Sequence, residues 1–388
     1  MSILVFRVSK SISKSLIAGL LTSLFATASA QAQATAETPK TLRVGIGLAV
    51  DSVQARAVND FGARVARLTQ GALRIELYAA GKLGNDVTMV KAVQEGTQEI
   101  TIPDSSTLAS LERSFSAINY PFTFLSEVEA DTVLDGAWGQ RLLEKLPAHG
   151  LIGLAYWENG FRQMTNSRKS LTTAADFDGI RMRTMQNPML VDSFNRLGFQ
   201  AVPMPFTQVY DALKTQTVDG QENPLPTILS SRFYEVQKYL TLSRHVYSAH
   251  VILVSKKVWD GLSPQHQNAL RTAAVESRLV ERRLSREGSE QALADLKAKG
   301  MTVSTIPRAD AERIRNRLRG VFDKYNVDIG ASTMIDLYVE LGRMRTSQQP
   351  VVATTLAASA PQVVEPKAAK PGSRTAALNT KQARNSSP

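Results

Sequence analysis

Short runs in which apolar residues alternate or cluster are separated by stretches in which they return every three or four positions. The first pattern predicts strands and the second amphipathic helices. "TLRVGIGLAV" (Thr41–Val50) reads as a buried strand, and Ser52–Leu68 as a helix with Val58, Phe61, Val65 and Leu68 on one face. Leu73–Ala79 alternates as a strand, Asp86–Gln94 reads as a helix with Asp86 as its N-cap, and Gln98–Pro103 is a third strand. Further on, Leu151–Trp157, Phe161–Asn166, Ile180–Thr184 and Phe199–Met204 read as strands, and Pro188–Leu197 and Thr207–Thr215 as helices. His245–Ser255 is a long strand-like run. Ser263–Gly300 predicts one long helix, with Pro264 at a first-turn position that tolerates proline. Met301–Ile306 is a last strand, and helices near Asp310–Tyr325 and Ser332–Met344 close the pattern.

Strands alternating with helices predict an α/β fold. The series occurs twice, so the expectation is two lobes with a ligand cleft between them and a long connecting helix. One lobe takes residues 41–159 with about 248–287, the other 160–247 with about 288–346. Ligands in such folds sit at the carboxyl ends of strands. The strand in "GIRMRT" (Gly179–Thr184) puts Ile180, Met182 and Thr184 on one face and Arg181 and Arg183 on the other. Two neighbouring guanidinium groups there are either a solvated edge or a place for an anion.

Both ends fall outside this pattern. Arg7, Lys10 and Lys14 precede an apolar run, Ser15–Ala30, that ends in Ala28-Ser29-Ala30. That is the form of a secretory signal peptide cleaved after Ala30, with Ala32 and Ala34 also fitting, and the run is short for a span of ~20 residues. Residues 351–388 are rich in Ala, Pro, Ser and Thr without periodicity and read as a disordered tail. The tail carries a net +4 and the leader +3, so of the formal +11 only +4 belongs to the region between. The high charge is thus an effect of the ends, and gives no basic stripe of the kind nucleic-acid binding needs. Cysteine is absent from the 388 residues, which removes thiol chemistry and Cys-ligated metal. A chain of this length buries a sizeable core without disulfides.

Motifs of catalysis are missing: no G-x-S-x-G, no phosphate-binding loop, no H-E-x-x-H. His149, His245, His250 and His266 lack metal-ligand spacing. No metal or cofactor is therefore expected. What stands at the ends of apolar strands is polar: Arg162 in "NGFRQMTN", Arg183, Asp104 after "EITIP", and Asn223 in "VDGQENP", read as a turn between Gly220 and Pro224. Arginine presents a planar fork that matches a carboxylate and keeps its charge, so two such forks in one cleft suit an organic acid.

"YAAGKLGNDVTMVKAVQEGTQEITIPDSS" (Tyr78–Ser106), the stretch Glu158–Asp260 with "VDGQENP" and "FYEVQKYL" (Phe233–Leu240), and the span Leu42–Tyr338 as a whole resemble a known family. It is that of the solute-binding proteins of tripartite ATP-independent periplasmic (TRAP) transporters, of the C4-dicarboxylate-binding (DctP) type. The resemblance implies a two-lobed periplasmic receptor that closes on a small carboxylate and delivers it to the membrane subunits of a TRAP permease. It implies that Arg183 pairs with the ligand carboxylate, Arg181 being a flank. Arg162 would be a second carboxylate or hydroxyl contact, Asn223 a polar contact, Phe206 of "PMPF" an apolar wall and Asp104 an acidic lining residue. Asp86, Gln186 and His250 match positions that sometimes line the site, and Glu158 of "YWENG" would meet ligand hydroxyls or support the hinge. Relatives that bind sialic acid carry asparagine where Gly47 stands and arginine where Thr107 stands, which speaks against that ligand. A C4-dicarboxylate is the first expectation and a hexuronate-type sugar acid the second. An exported enzyme, which ligand turnover would reveal, and a ligand sensor are the rivals.

Overall fold

The computed structural model describes residues 39–348; the proposed signal peptide and the C-terminal tail lie outside them. Two sheets carry the fold. The first contains β1 (Lys40–Gly45), β2 (Leu73–Tyr78), β3 (Ile100–Thr101), β4 (Leu151–Phe161) and β10 (Tyr247–Ser255), in the order β2-β1-β3-β10-β4. The second contains β5 (Gln163–Asn166), β6 (Arg181–Thr184), β7 (Gln200–Pro203), β8 (Gly220–Asn223), β9 (Tyr239–Leu242) and β11 (Thr302–Thr305), in the order β11-β9-β5-β8-β6-β7. β1 runs parallel to β2 and β3, whereas β10 is antiparallel to β3 and β4. Residue for residue, β10 is buried, in keeping with its largely apolar run broken by Ser248, His250 and Ser255.

The chain passes between the sheets at Arg162, between β4 and β5, and again between β9 and β10. Pro264–Ala298 is one continuous helix capped by the Ser263 hydroxyl. It packs on the helix Val53–Leu68 and on β4, and further along on the helix Leu225–Ser230. The first core gathers Leu42, Val44, Phe61, Val65 and Trp157 under that helix. A separate cluster of Val209, Leu213, Ile228, Phe233 and Leu296 fills one face of the second sheet.

Several expected elements shift. Asn85, not Asp86, caps the helix Asp86–Glu95: its Oδ1 accepts from Thr88 N at 3.1 Å. Residues 220–223 are a buried strand rather than a turn, pressed so close to β5 that a Cβ on Gly220 would lie 2.4 Å from the Thr165 carbonyl. Three helices, Arg308–Arg317, Arg319–Ile329 and Ala331–Gln348, close the described chain in place of two.

Ser52, read from the pattern as the first helical residue, instead caps the helix Val53–Leu68, its Oγ accepting from Ala55 N at 3.2 Å. Ser52→Ala is expected to lower stability by ~1 kcal/mol, read as a shifted urea midpoint with an unchanged slope.

Candidate functional site

Between the two sheets lies a cavity with an internal volume of about 60 Å³, opening to solvent, and small-molecule sites favour such clefts. Eight of the nine residues singled out from the sequence line it: Asp86, Asp104, Arg162, Arg183, Gln186, Phe206, Asn223 and His250. Most come from strand ends, while Asp86 opens the helix Asp86–Glu95. Arg183 is the third residue of β6, and Gln186 follows that strand; Asn223 ends β8. Asp104 follows β3, where its Oδ1 accepts from Ser106 N and begins a 3-10 turn. Phe206 opens the short turn after β7. His250 lies in β10 and bridges Asp104 through the backbone.

The two arginines are in different electrostatic states. Arg162 is 1% exposed and its fork is occupied. Nε and Nη2 both donate to the Glu222 carboxylate, Nη2 also to Asn223 Oδ1 at 3.1 Å, and Nη1 to Ser248 Oγ at 3.2 Å. Asp104 Oδ2 stands 3.8 Å from Nη1. Burial alone would raise the Glu222 carboxyl, but Arg162 and the neighbouring His245 hold it down at about 2, so the pair is ionic. The second carboxylate contact expected at Arg162 is therefore already made from within the protein.

Arg183 has no such partner. It is 3% exposed, and Nε and Nη2 donate to one acceptor, the Met204 carbonyl, at 3.1 and 2.8 Å. Among the described residues it forms no ion pair within 4.0 Å. Burial, with Arg162 adding to it, pushes its pKa down to about 10 against the pull of Glu222, Asp86 and Asp104. It remains charged at neutral pH, a buried cation held in plane by one carbonyl. Arg181, by contrast, is half exposed and closes a two-pronged pair with Asp219 at 2.8 and 3.1 Å, consistent with a flank.

Across the cavity stand acceptors. Burial, reinforced by the charge of Asp104, pushes Asp86 up to about 6. Burial pushes His250 down to about 4, so the ring is neutral, and its Nδ1 has no hydrogen-bond partner. Gly47 belongs to this wall: a Cβ there would lie 3.1 Å from Asp86 Oδ1 and 4.0 Å from the Phe206 ring.

Glu158 does not reach this cavity. It is buried against the long helix, where its Oε2 accepts from Arg286 at 2.7 and 3.0 Å. Neighbours on a strand point to opposite sides, and it is Asn159 that faces the site, donating to Asp104 Oδ2 at 2.9 Å. Alternation within "YWENG" carried that signal. Gln54, Ser106, Met185 and Met204 also line the cavity. Ser106 and Met204 lie within stretches quoted from the sequence but are not singled out by them; Gln54 is fixed by donating to the Ile102 carbonyl at 2.8 Å, and Ser106 Oγ lies 3.1 Å from Met185 Sδ.

The profile of the bacterial extracellular solute-binding proteins, family 7, matches residues 44–328. The 2,3-diketo-L-gulonate-binding periplasmic protein YiaO of Escherichia coli K12 is 35% identical over 287 residues, 74% of this chain and 88% of that one. The C4-dicarboxylate-binding periplasmic protein DctP of Rhodobacter capsulatus is 32% identical over 301 residues, 76% of this chain and 89% of that one. Among solved structures, the sugar acid binding protein DctPAm of Advenella mimigardefordensis in complex with galactonate superposes with a TM-score of 0.78. It is 42% identical and covers 79% of this chain and 99% of its own.

Proposed function

The chain belongs to the bacterial extracellular solute-binding proteins of family 7, the receptors of TRAP transporters, and from this premise we propose that its ligand is a sugar acid with a single carboxylate. The observation that carries the reading is Arg183, a buried guanidinium in the cavity without a carboxylate partner, beside Arg162, which has one. One unpaired fork supports one carboxylate anchor. A second carboxylate would face Asp86 and Asp104, whose oxygens are instead suited to accept from hydroxyls. The relatives named for galactonate and 2,3-diketo-L-gulonate support the same class. The relative named for C4-dicarboxylates favours the second reading, a small dicarboxylate.

In this account residues 41–159 with about 248–287 and 160–247 with about 288–346 are the two lobes that close on the ligand. Closure shifts an open–closed equilibrium because the ligand contacts both sides. The closed form is what TRAP permease subunits recognise, and the chain turns over no ligand. Export by the leader at residues 1–30 places it in the periplasm. Family members are extracytoplasmic receptors, and among the described residues no helix is long and apolar enough to cross a membrane. A thermal-shift screen with aldonates, hexuronates and C4-dicarboxylates tests the ligand class, since a ligand of the folded state alone raises the melting temperature. A shift with aldonates or hexuronates is expected; a shift with succinate or malate alone would overturn the class.

Asp86 adds a pH signature. A ligand carboxylate beside Arg183 brings negative charge near Asp86 and raises its pKa above about 6, so binding takes up a proton. Affinity therefore rises as pH falls through neutrality and levels off below about 6. For charges about 6 Å apart in a wet cleft the effect is ~0.7 kcal/mol, roughly threefold. Titrations across this range read it, and Asp86→Asn should flatten the profile.

A further inference from the structure

We propose that a second, smaller chamber beside the cavity takes the terminal hydroxymethyl group of an open-chain sugar acid. The inference rests on the sugar-acid reading above and narrows it to aldonates. Leu48, Gln54, Asn159 and His250 line both spaces, so the two are neighbours. The rest of the chamber wall comes from helices and β4. Ser52 caps the helix Val53–Leu68, Thr227 and Ser230 belong to Leu225–Ser230, Glu281 and Ser285 to the long helix, and Glu158 to β4. The internal volume is about 20 Å³. A water-sized sphere needs about 10–15 Å³, so the chamber has room for about two heavy atoms, the size of a hydroxymethyl group.

The lining decides what chemistry fits. Glu158 is paired with Arg286 at 2.7 Å, burial pushes the Glu281 carboxyl well above its usual range, and burial keeps the His250 ring neutral. The chamber therefore offers no charge to a charged group. A methyl group would leave polar atoms stranded. His250 is 5% exposed and its Nδ1 has no hydrogen-bond partner. Among the described residues the hydroxyls of Thr227, Ser230 and Ser285 make no hydrogen bond. Glu281 Oε2 accepts from Glu158 N at 2.7 Å, and Oε1 has no such partner among the described residues. An alcohol both donates and accepts, so one hydroxyl satisfies an imidazole nitrogen and a second polar group together. With the carboxylate on Arg183, the carbon chain runs past Asp104 and Asn159, themselves hydrogen-bonded at 2.9 Å, and its far end enters the chamber.

Galactonate and fuconate of the same configuration form the matched probe, because they share a six-carbon chain and differ only in the terminal hydroxyl. Calorimetric titrations of both are made with the wild type, with Thr227→Val, with Ser285→Ala and with the double variant, melting curves identifying which variants fold. The wild type is expected to bind galactonate at least about tenfold more tightly than fuconate, since a methyl group leaves buried polar atoms unpaired. In the double variant that ratio is expected to fall at least about threefold. A merely structural role for the two hydroxyls would weaken both ligands alike and leave the ratio where it was. A smaller wild-type preference, or one that the double variant keeps, places the terminal hydroxyl elsewhere and overturns the proposal while leaving the sugar-acid reading in place. Should the double variant fail to fold, the same fall in the ratio is sought in the single variants, and its absence from both overturns the proposal. A wild type that binds galacturonate but neither probe would also overturn the proposal and keep the sugar-acid reading. Binding of none of the three by the wild type would sink both.

Discussion

Arg183→Ala is expected to weaken binding of a carboxylate ligand by at least ~2 kcal/mol, about thirtyfold, because each charged hydrogen bond contributes roughly 1.5–3 kcal/mol. The fold should tolerate the change. In the free protein Arg183 is bonded to a single acceptor, the Met204 carbonyl, and is 3% exposed. Removing it takes away a buried cation that no carboxylate pairs within 4.0 Å. Isothermal titration alongside a melting curve separates the two effects: a large loss of affinity with a melting temperature close to wild type is the predicted combination. Unchanged affinity would remove Arg183 as the anchor.

Arg162→Ala should behave in the opposite way, as a stability variant. Arg162 and Glu222 are both about 1% exposed, and removing the cation leaves Glu222 buried without its main counter-charge. Breaking a buried pair from one side costs about 3–5 kcal/mol. The sign of its pH dependence follows from the carboxyl. In the wild type Glu222 sits at about 2, below its unfolded value of ~4.3. It contributes stability above the unfolded value and loses it as pH falls through about 2. Without Arg162, burial raises the Glu222 pKa, and the group destabilises the fold at neutral pH. The deficit then narrows on acidification as the carboxyl takes up its proton. Urea unfolding of both proteins at neutral and mildly acidic pH checks this; a deficit that widens in acid would contradict the assignment.

The difference between these two arginines was not legible in the sequence. Both stand at strand ends among apolar residues. What separates them is Glu222, 60 residues from Arg162 along the chain and brought beside it by the β5–β8 pairing. β8 itself escaped pattern reading for a related reason. "GQEN" has no apolar alternation, and the strand is buried because its polar side chains satisfy one another and their neighbours. Gln221 donates to Thr165 Oγ1 at 2.9 Å, Asn223 to Gln221 Oε1 at 2.6 Å, and Glu222 pairs with Arg162. Periodicity detects burial by hydrophobicity and misses burial by hydrogen bonding.

Elsewhere the pattern served well. β1, β2, β6, β7, β10 and the long helix follow from period and capping, and eight of the nine candidate residues line one cavity. Glu158 was missed by one position, since the alternation of β4 turns it toward Arg286 and its neighbour Asn159 inward. Residues 105–149 gave no clear signal because they fold as 3-10 turns and short helices, Ser105–Ser110, Arg113–Asn119, Glu127–Asp135 and Ala137–Leu143, too brief to establish a period.

The measurement that bears most directly on the central claim is a crystal structure of the protein with galactonate. The account predicts the ligand in the cavity between the sheets, its carboxylate within hydrogen-bond distance of the Arg183 guanidinium and its hydroxyls toward Asp86 and Asp104, with the Arg162–Glu222 pair intact. A carboxylate seated on Arg162 with Glu222 displaced, or a ligand bound outside this cavity, would contradict it.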